Sequence, residues 1–146
     1  MKASLLHEAD GRRTFMLVLS TGDEAAACLS SFARDHQLGA SHFTAIGAFS
    51  SAVVGYFDWE TKDYQQIRMD EQVEVLSLIG DVSLDEGEAK VHAHVVLGKS
   101  DGTAHGGHLL SGHVRPTLEV VLTESPAYLR RRYDPESGLA LIDPTR

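Results

Sequence analysis

The feature that most constrains the fold of this chain is a run of strand-like segments between residues 41 and 123. Apolar and polar residues alternate within the segments, and turn-forming sequences such as Asp-Glu-Gly-Glu at 85–88 separate them. Successive strands that are joined by short turns pair in antiparallel fashion. The sequence therefore predicts a mostly antiparallel sheet, with strands at residues 42–49, 52–58, 64–69, 72–84, 91–97 and 114–123.

Helical periodicity is confined to one long segment that precedes this run. After a strand predicted at residues 14–19, apolar residues recur at three- and four-residue spacing between Ala25 and His36. Thr21 or Asp23 is placed to cap the helix at its start, and Gly39 is placed to end it in a left-handed conformation. These residues predict one main helix.

A second, short helix is predicted near the C-terminus. Ser125 suits the N-cap, Pro126 suits the first helical position, and the arginines at 130–132 would complement the helix dipole in the last turn. The alternative for these arginines is an anion-binding patch. The fold class is thus α+β, as a single domain over residues 1–146, with a core predicted from Phe15, Leu17, Leu19, Leu29, Phe32, Ile46, Val75, Leu78 and Val120.

Charge and cysteine content limit the functions that the chain can have. The net charge of −8 repels a phosphate backbone, so any association with DNA is expected to be weak or indirect. Cys28 is the only cysteine, lies in the apolar stripe of the predicted helix, and cannot form an intramolecular disulfide. With no signal-like start and no stretch long enough to span a bilayer, the sequence predicts a cytoplasmic protein that does not enter the membrane.

Two histidines stand two residues apart in a predicted strand. Alternate residues of a strand point to the same face, so His92 and His94 are placed to share one metal ion. The predicted loop that follows carries Gly106 and Gly107, which permit close backbone approach, and then His108. Three imidazoles form a ligand set suited to zinc and to other divalent ions. The alternative is that the loop histidines are ordinary polar residues.

One carboxylate is a candidate for a role beside such a metal. Glu119 lies on the strand predicted after the loop, on the face opposite Leu118 and Val120. It is placed either to orient a ligating histidine or to act as a general base on a metal-bound water. The alternative is a glutamate that faces solvent or a neighbouring subunit.

The same motifs resemble those of a known family. Four segments are similar to the plants-and-prokaryotes conserved (PPC) domain. They are Val-His-Ala-His-Val-Val-Leu at 91–97, Asp-Gly at 101–102, Gly-Gly-His-Leu-Leu-Ser-Gly-His-Val at 106–114 and Thr-Leu-Glu-Val-Val-Leu at 117–122. The segments at 11–19, 47–49, 133–135 and 138–139 extend the resemblance over nearly the whole chain.

The resemblance implies a sandwich-like α+β subunit in a homotrimer, with a metal held by His92, His94 and His108. In plants the family's domain follows AT-hooks in nuclear proteins that work in transcription. No Arg-Gly-Arg-Pro AT-hook occurs in this sequence, so the resemblance does not bring that mode of DNA binding with it.

Three hypotheses for the function follow. The leading one is a metal-binding domain, with zinc as the metal, that acts in regulation or senses a small ligand at the metal. The second is a zinc-dependent enzyme that acts on a small polar molecule, with Glu119 as its base. The third is a purely structural trimerisation module.

Overall fold

The structure, a computed structural model, describes residues 1–144. Within them the chain forms nine strands, all in one sheet, and a single α-helix. The elements are β1 (Lys2–Ala9), β2 (Arg12–Ser20), α1 (Ala25–Asp35), β3 (Ala40–Asp58), β4 (Asp63–Met69), β5 (Val73–Asp85), β6 (Glu88–Gly98), β7 (Ala104–Glu124), β8 (Arg130–Asp134) and β9 (Leu139–Asp143). The mostly antiparallel sheet with one main helix is as predicted.

Two long strands organise the sheet. The first half of β3 pairs with β5 and with the end of β7, whereas its second half pairs with β4 and with the start of β7. The start of β7 also pairs with β6, which pairs with β5. The pairings between β3, β5, β6 and β7 therefore close into a ring. Gly47 lies at a bulge in β3 with φ of 154°, where an added Cβ would lie 2.2 Å from the carbonyl oxygen of Thr117.

The core lies between the inner face of this sheet and α1. The helix contributes Ala25, Leu29, Phe32 and Ala33, and it packs against β6 and β7. Of the nine residues predicted to form the core, eight are buried. The prediction is wrong for Ile46, whose side chain is 62% exposed, because the strand alternation places it on the outer face of the sheet.

The ends of the main helix differ from the prediction. Glu24, and not Thr21 or Asp23, is the N-cap, and its carboxylate accepts hydrogen bonds from the backbone of Ala26 and Ala27 at 3.2 and 2.7 Å. The helix ends at Asp35, so the left-handed residue that follows is Gln37, with φ of 53°. Gly39 instead donates its backbone N–H to the buried carboxylate of Glu124 at 3.0 Å.

The short C-terminal helix is absent from residues 1–144, and this prediction is wrong. The backbone of Leu129 donates to Gly39 and accepts from Leu84, so these groups bond to distant parts of the chain and not to a helical turn. Residues 130–134 form β8, which pairs with β9 as a hairpin. Tertiary partners for the backbone thus override a favourable capping sequence. The one helix of the described residues is also too short to cross a membrane.

Candidate metal centre

Strand pairing brings the three predicted histidines together. His94 on β6 lies opposite His108 on β7, and His92 lies two residues away on the same face as His94. Ala93, Val95 and Leu97 point to the other side and are buried in the core, which fixes the direction in which the histidines point. The residues of the H-x-H motif are therefore held by a rigid strand.

The glycine pair acts through close approach, although it does not lie in a loop as predicted. Gly106 and Gly107 belong to β7, and the loop is limited to residues 99–103. A Cβ on Gly106 would lie 2.7 Å from the carbonyl oxygen of Val95, and one on Gly107 would lie 2.6 Å from that of Gly55. Larger residues would push β7 away from its neighbours and carry His108 with it.

The geometry of the cluster fits a divalent metal ion. One ring nitrogen from each of His92, His94 and His108 lies within 4.8 Å of the others. The Nε2 atoms of His92 and His94 are 3.2 Å apart, close to the separation of about 3.3 Å that a tetrahedral zinc ion with bonds of 2.0–2.1 Å requires. A buried nitrogen, Nδ1 of His108, also has no hydrogen-bond partner among the described residues.

The protonation state of the cluster favours metal binding. Burial and the neighbouring positive charges, first that of His92, lower the pKa of His108 to about 4. Burial and the charge of His92 also lower the pKa of His94. Only the neutral ring has a lone pair to donate to a metal, so these two residues are ready to act as ligands at neutral pH.

A carboxylate orients His92. Oδ2 of Asp81 lies 3.3 Å from Nδ1 of His92, which leaves Nε2 directed toward His94. Oδ1 of Asp81 accepts a hydrogen bond from Arg131 at 2.8 Å. Burial raises the pKa of Asp81, but the hydrogen bond from His92 and the charge of Arg131 outweigh it, and the pKa falls below its usual value. Carboxylate–histidine pairs of this kind fix the tautomer and orientation of metal ligands.

Arg131 links this pair to the C-terminal hairpin. Its side chain is only 8% exposed. Besides the bond to Asp81, it donates to Oγ of Ser83 at 2.8 Å and to the carbonyl oxygen of Ala140 at 3.0 Å. The sequence analysis offered two roles for the arginine run, complementing a helix dipole or binding an anion. Arg131 has neither role, because its guanidinium group holds Asp81.

Asp81 and Tyr64 are site residues that the sequence analysis missed. A two-residue turn, Glu86-Gly87, joins β5 to β6, so the register follows by counting outward from Asp85 and Glu88 and places Asp81 opposite His92. The pairing of Asp81 with His92 could therefore have been derived from the sequence. Tyr64 stacks on His108 with ring centroids 4.7 Å apart, and it arrives from β4, which does not pair with either histidine strand.

Glu119 lies apart from the histidines. One row of paired residues crosses β7, β3, β5 and β6 and consists of Val121, Thr44, Ile79 and His94. Val121 and His94 are therefore three strand intervals apart, which is about 14 Å along the sheet. Glu119 precedes Val121 by two residues along β7, on the same face, and lies beside Ile46. Glu119 is therefore not part of the histidine cluster within one chain, and its role as a base stays a prediction.

Comparisons with known proteins find similar sequences and similar folds. Residues 6–126 match the sequence model of the Plants and Prokaryotes Conserved (PCC) domain. A Pyrococcus horikoshii plant- and prokaryote-conserved protein of known structure is 32% identical, with a TM-score of 0.84 over 99% of this chain and 96% of its own. A metal-containing protein from Archaeoglobus fulgidus is 37% identical, with a TM-score of 0.83 over 97% of this chain and 99% of its own.

Two further relatives differ in what they are described to do. A Bacteroides thetaiotaomicron protein, described as a candidate DNA-binding protein, is 26% identical, with a TM-score of 0.88 over 99% of both chains. The bifunctional protein GlmU of Synechococcus sp. is 33% identical over 129 residues, which are 86% of this chain but 20% of that protein. The chain thus spans about a fifth of this curated relative. The match over residues 6–126 and the shared fold show that the chain belongs to the Plants and Prokaryotes Conserved domain family, abbreviated PPC or PCC.

Proposed function

We propose that the protein is a zinc-binding domain that responds to a small ligand at the metal. The observation that carries the proposal is the convergence of His92, His94 and His108, with one nitrogen of each within 4.8 Å of the others. Three neutral imidazoles leave the fourth position of a tetrahedral ion open to water or a ligand. The description of the Archaeoglobus fulgidus relative as a metal-containing protein supports it.

The metal in this proposal serves binding and not folding. The chain buries an extensive apolar core that is independent of the histidines, unlike a zinc finger, whose folding free energy comes from its metal. The histidines lie on the opposite face of β6 from that core. Removal of the metal is therefore expected to abolish the ligand response while the fold is retained.

DNA association is proposed to be weak or to depend on a partner. The relative from Bacteroides thetaiotaomicron is described as a candidate DNA-binding protein, but the present chain has a net charge of −8. The middle arginine of its 130–132 run is also engaged internally by Asp81. Neutralisation of phosphates supplies most non-specific affinity for DNA, and this chain offers little of it.

A homotrimer is proposed with the outer face of the sheet as the subunit contact. Five exposed apolar side chains lie on that face: Ile46, Leu76, Ile79, Val96 and Val121, each between 41% and 62% exposed. A patch of this kind on a small protein commonly marks an interface. Glu119 borders it, and an adjacent cavity of about 590 Å³ is lined by Ile46, Leu76 and Glu119.

The second candidate function is a zinc-dependent enzyme acting on a small polar molecule. The open metal position that favours ligand binding also favours activation of water. Glu119 reaches such a site only if a neighbouring subunit presents it across the apolar face. A structural trimerisation module, the third candidate, would need neither the metal nor a ligand. A cytoplasmic location stays a prediction from the single cysteine.

One experiment separates the candidates. The purified protein is analysed for metal by mass spectrometry, and its melting temperature is then measured with a panel of small metabolites, with and without zinc. Zinc at one ion per chain with a zinc-dependent shift, and no turnover of the metabolite, supports sensing. Turnover supports the enzyme. A protein that takes up no zinc, and whose melting temperature no metabolite changes, contradicts both.

A further inference from the structure

A cavity of about 300 Å³ lies between the histidine cluster and the C-terminal hairpin. Its lining includes His92 and His108 together with Tyr64, Val91 and the β9 residues at 139–141. The hairpin lies beyond the residues that match the family model, which end at 126. The volume is at the lower limit for a small-molecule site, so only a small ligand fits.

The charges around the cavity favour an anion once a metal is bound. The basic groups are Lys90 and Arg131, and the acidic groups are Asp85 in the lining and Asp81 behind His92. These four formal charges cancel. Three neutral imidazoles add no negative charge, so the charge of a divalent ion at the histidines stays uncompensated.

Lys90 is the group free to contact such an anion. Among the residues that the structure describes, no hydrogen bond or ion pair involves its ammonium group. By contrast, Arg131 is held by Asp81, Ser83 and the carbonyl of Ala140. An ammonium beside an open metal position adds a charge-assisted hydrogen bond to a ligand oxygen.

The sides of the cavity favour an apolar body on that anion. Val91, Leu139, Ala140 and Leu141 line it together with the ring of Tyr64, which is itself fixed by stacking on His108. Apolar walls with a few polar groups at one end are typical of sites that orient a small organic ligand.

We propose that this cavity binds a small carboxylate whose oxygens reach the metal and Lys90 while its short apolar body lies against Leu139 and Leu141. The inference rests on the proposed function, because it needs a metal at the three histidines. It adds the chemical class of the ligand and the residues that select it.

The test uses the full-length protein loaded with cobalt(II), whose visible absorption reports changes in coordination. Propionate is titrated and compared with propionamide, which has nearly the same shape and no charge. We expect propionate to change the spectrum saturably, propionamide to have no effect, and formate, which lacks the apolar body, to bind more weakly.

Variants then test the role of the lysine. Lys90→Gln should weaken propionate binding about tenfold by loss of a charge-assisted hydrogen bond, whereas Lys2→Gln, an exposed lysine on β1, should leave it unchanged. If cobalt binds but propionate and propionamide behave alike, or Lys90→Gln has no effect, the carboxylate site is refuted and the metal site stands. If no cobalt binds, the proposed function fails together with the inference.

Discussion

The carboxylate behind His92 gives a sharp prediction, because its substitution leaves all three ligands in place. In Asp81→Asn the side chain keeps its shape but loses its charge, and it can turn its amide N–H₂ toward Nδ1 of His92. The 3.3 Å contact with His92 and the 2.8 Å bond from Arg131 then both lose their charged partner. The imidazole becomes less basic and less well oriented as a ligand.

The expected loss is about 10–100-fold in zinc affinity, which is the usual effect of removing such a partner. That range corresponds to about 1.4–2.8 kcal/mol of binding free energy. The dissociation constant is measured by competition with a chromophoric chelator, and circular dichroism of the metal-free protein checks that the fold is kept.

Asp70→Asn serves as the control. Asp70 is an exposed aspartate between β4 and β5, outside the histidine cluster. The Asp70→Asn protein should bind zinc with the same affinity as the unsubstituted protein. Unchanged zinc affinity in Asp81→Asn would refute the account of Asp81 as the residue that orients His92.

Three other predictions follow from the structure. His94→Ala should lose zinc while the circular dichroism spectrum is retained, and His105→Ala, on an exposed part of β7, should keep both; unfolding of His94→Ala would make the site structural. The melting temperature of the metal-free protein should fall as the pH drops from 6.5 toward 4. The reason is that the pKa of His108 in the folded protein, about 4, lies below its ordinary value of 6.5, so the unfolded chain takes up the proton first. His108→Gln should make this fall smaller, and an equal fall in both proteins would contradict the prediction. Light scattering should give a trimer of the 15.9 kDa chain, and Ile79→Lys should disrupt it whereas Ile67→Lys on β4 should not; a wild-type monomer would exclude the trimer.

The parts of the fold that were predictable are those set by local periodicity. Alternation in β6 and the apolar stripe of α1 each identify a buried face without knowledge of what covers it. The long strands β3 and β7 were only partly recognised, because each changes partners along its length. Bulges at such changes interrupt the alternation, and glycines at 106 and 107 look like loop residues where they in fact permit close packing.

The errors near the C-terminus have a different cause. Ser125, Pro126 and the arginines at 130–132 satisfy the local rules for a short helix, but Gly39 and Leu84 supply backbone partners from distant parts of the chain. The exposure of Ile46 likewise depends on which face of β3 meets the core, because Phe43 and Ala45 lie on that face and Ile46 lies on the other. Local sequence does not encode these long-range pairings.

For the site, the sequence identified the three histidines that cluster in the structure but not the residues around them. The spacing of His92 and His94 needs only strand geometry, whereas Asp81 requires the register of a hairpin and Tyr64 requires the path of β4. Glu119 was placed on the correct face of β7, but the distance across the sheet follows only from the strand order.

The most direct test of the account is X-ray absorption spectroscopy at the zinc edge on the zinc-loaded protein. The three-histidine centre predicts three imidazole nitrogens at about 2.0–2.1 Å and one further oxygen ligand. Multiple scattering from the imidazole rings should correspond to three histidines. A spectrum with a sulfur ligand, or with fewer than three imidazoles in the unsubstituted protein, would contradict the assignment of His92, His94 and His108 as the metal centre.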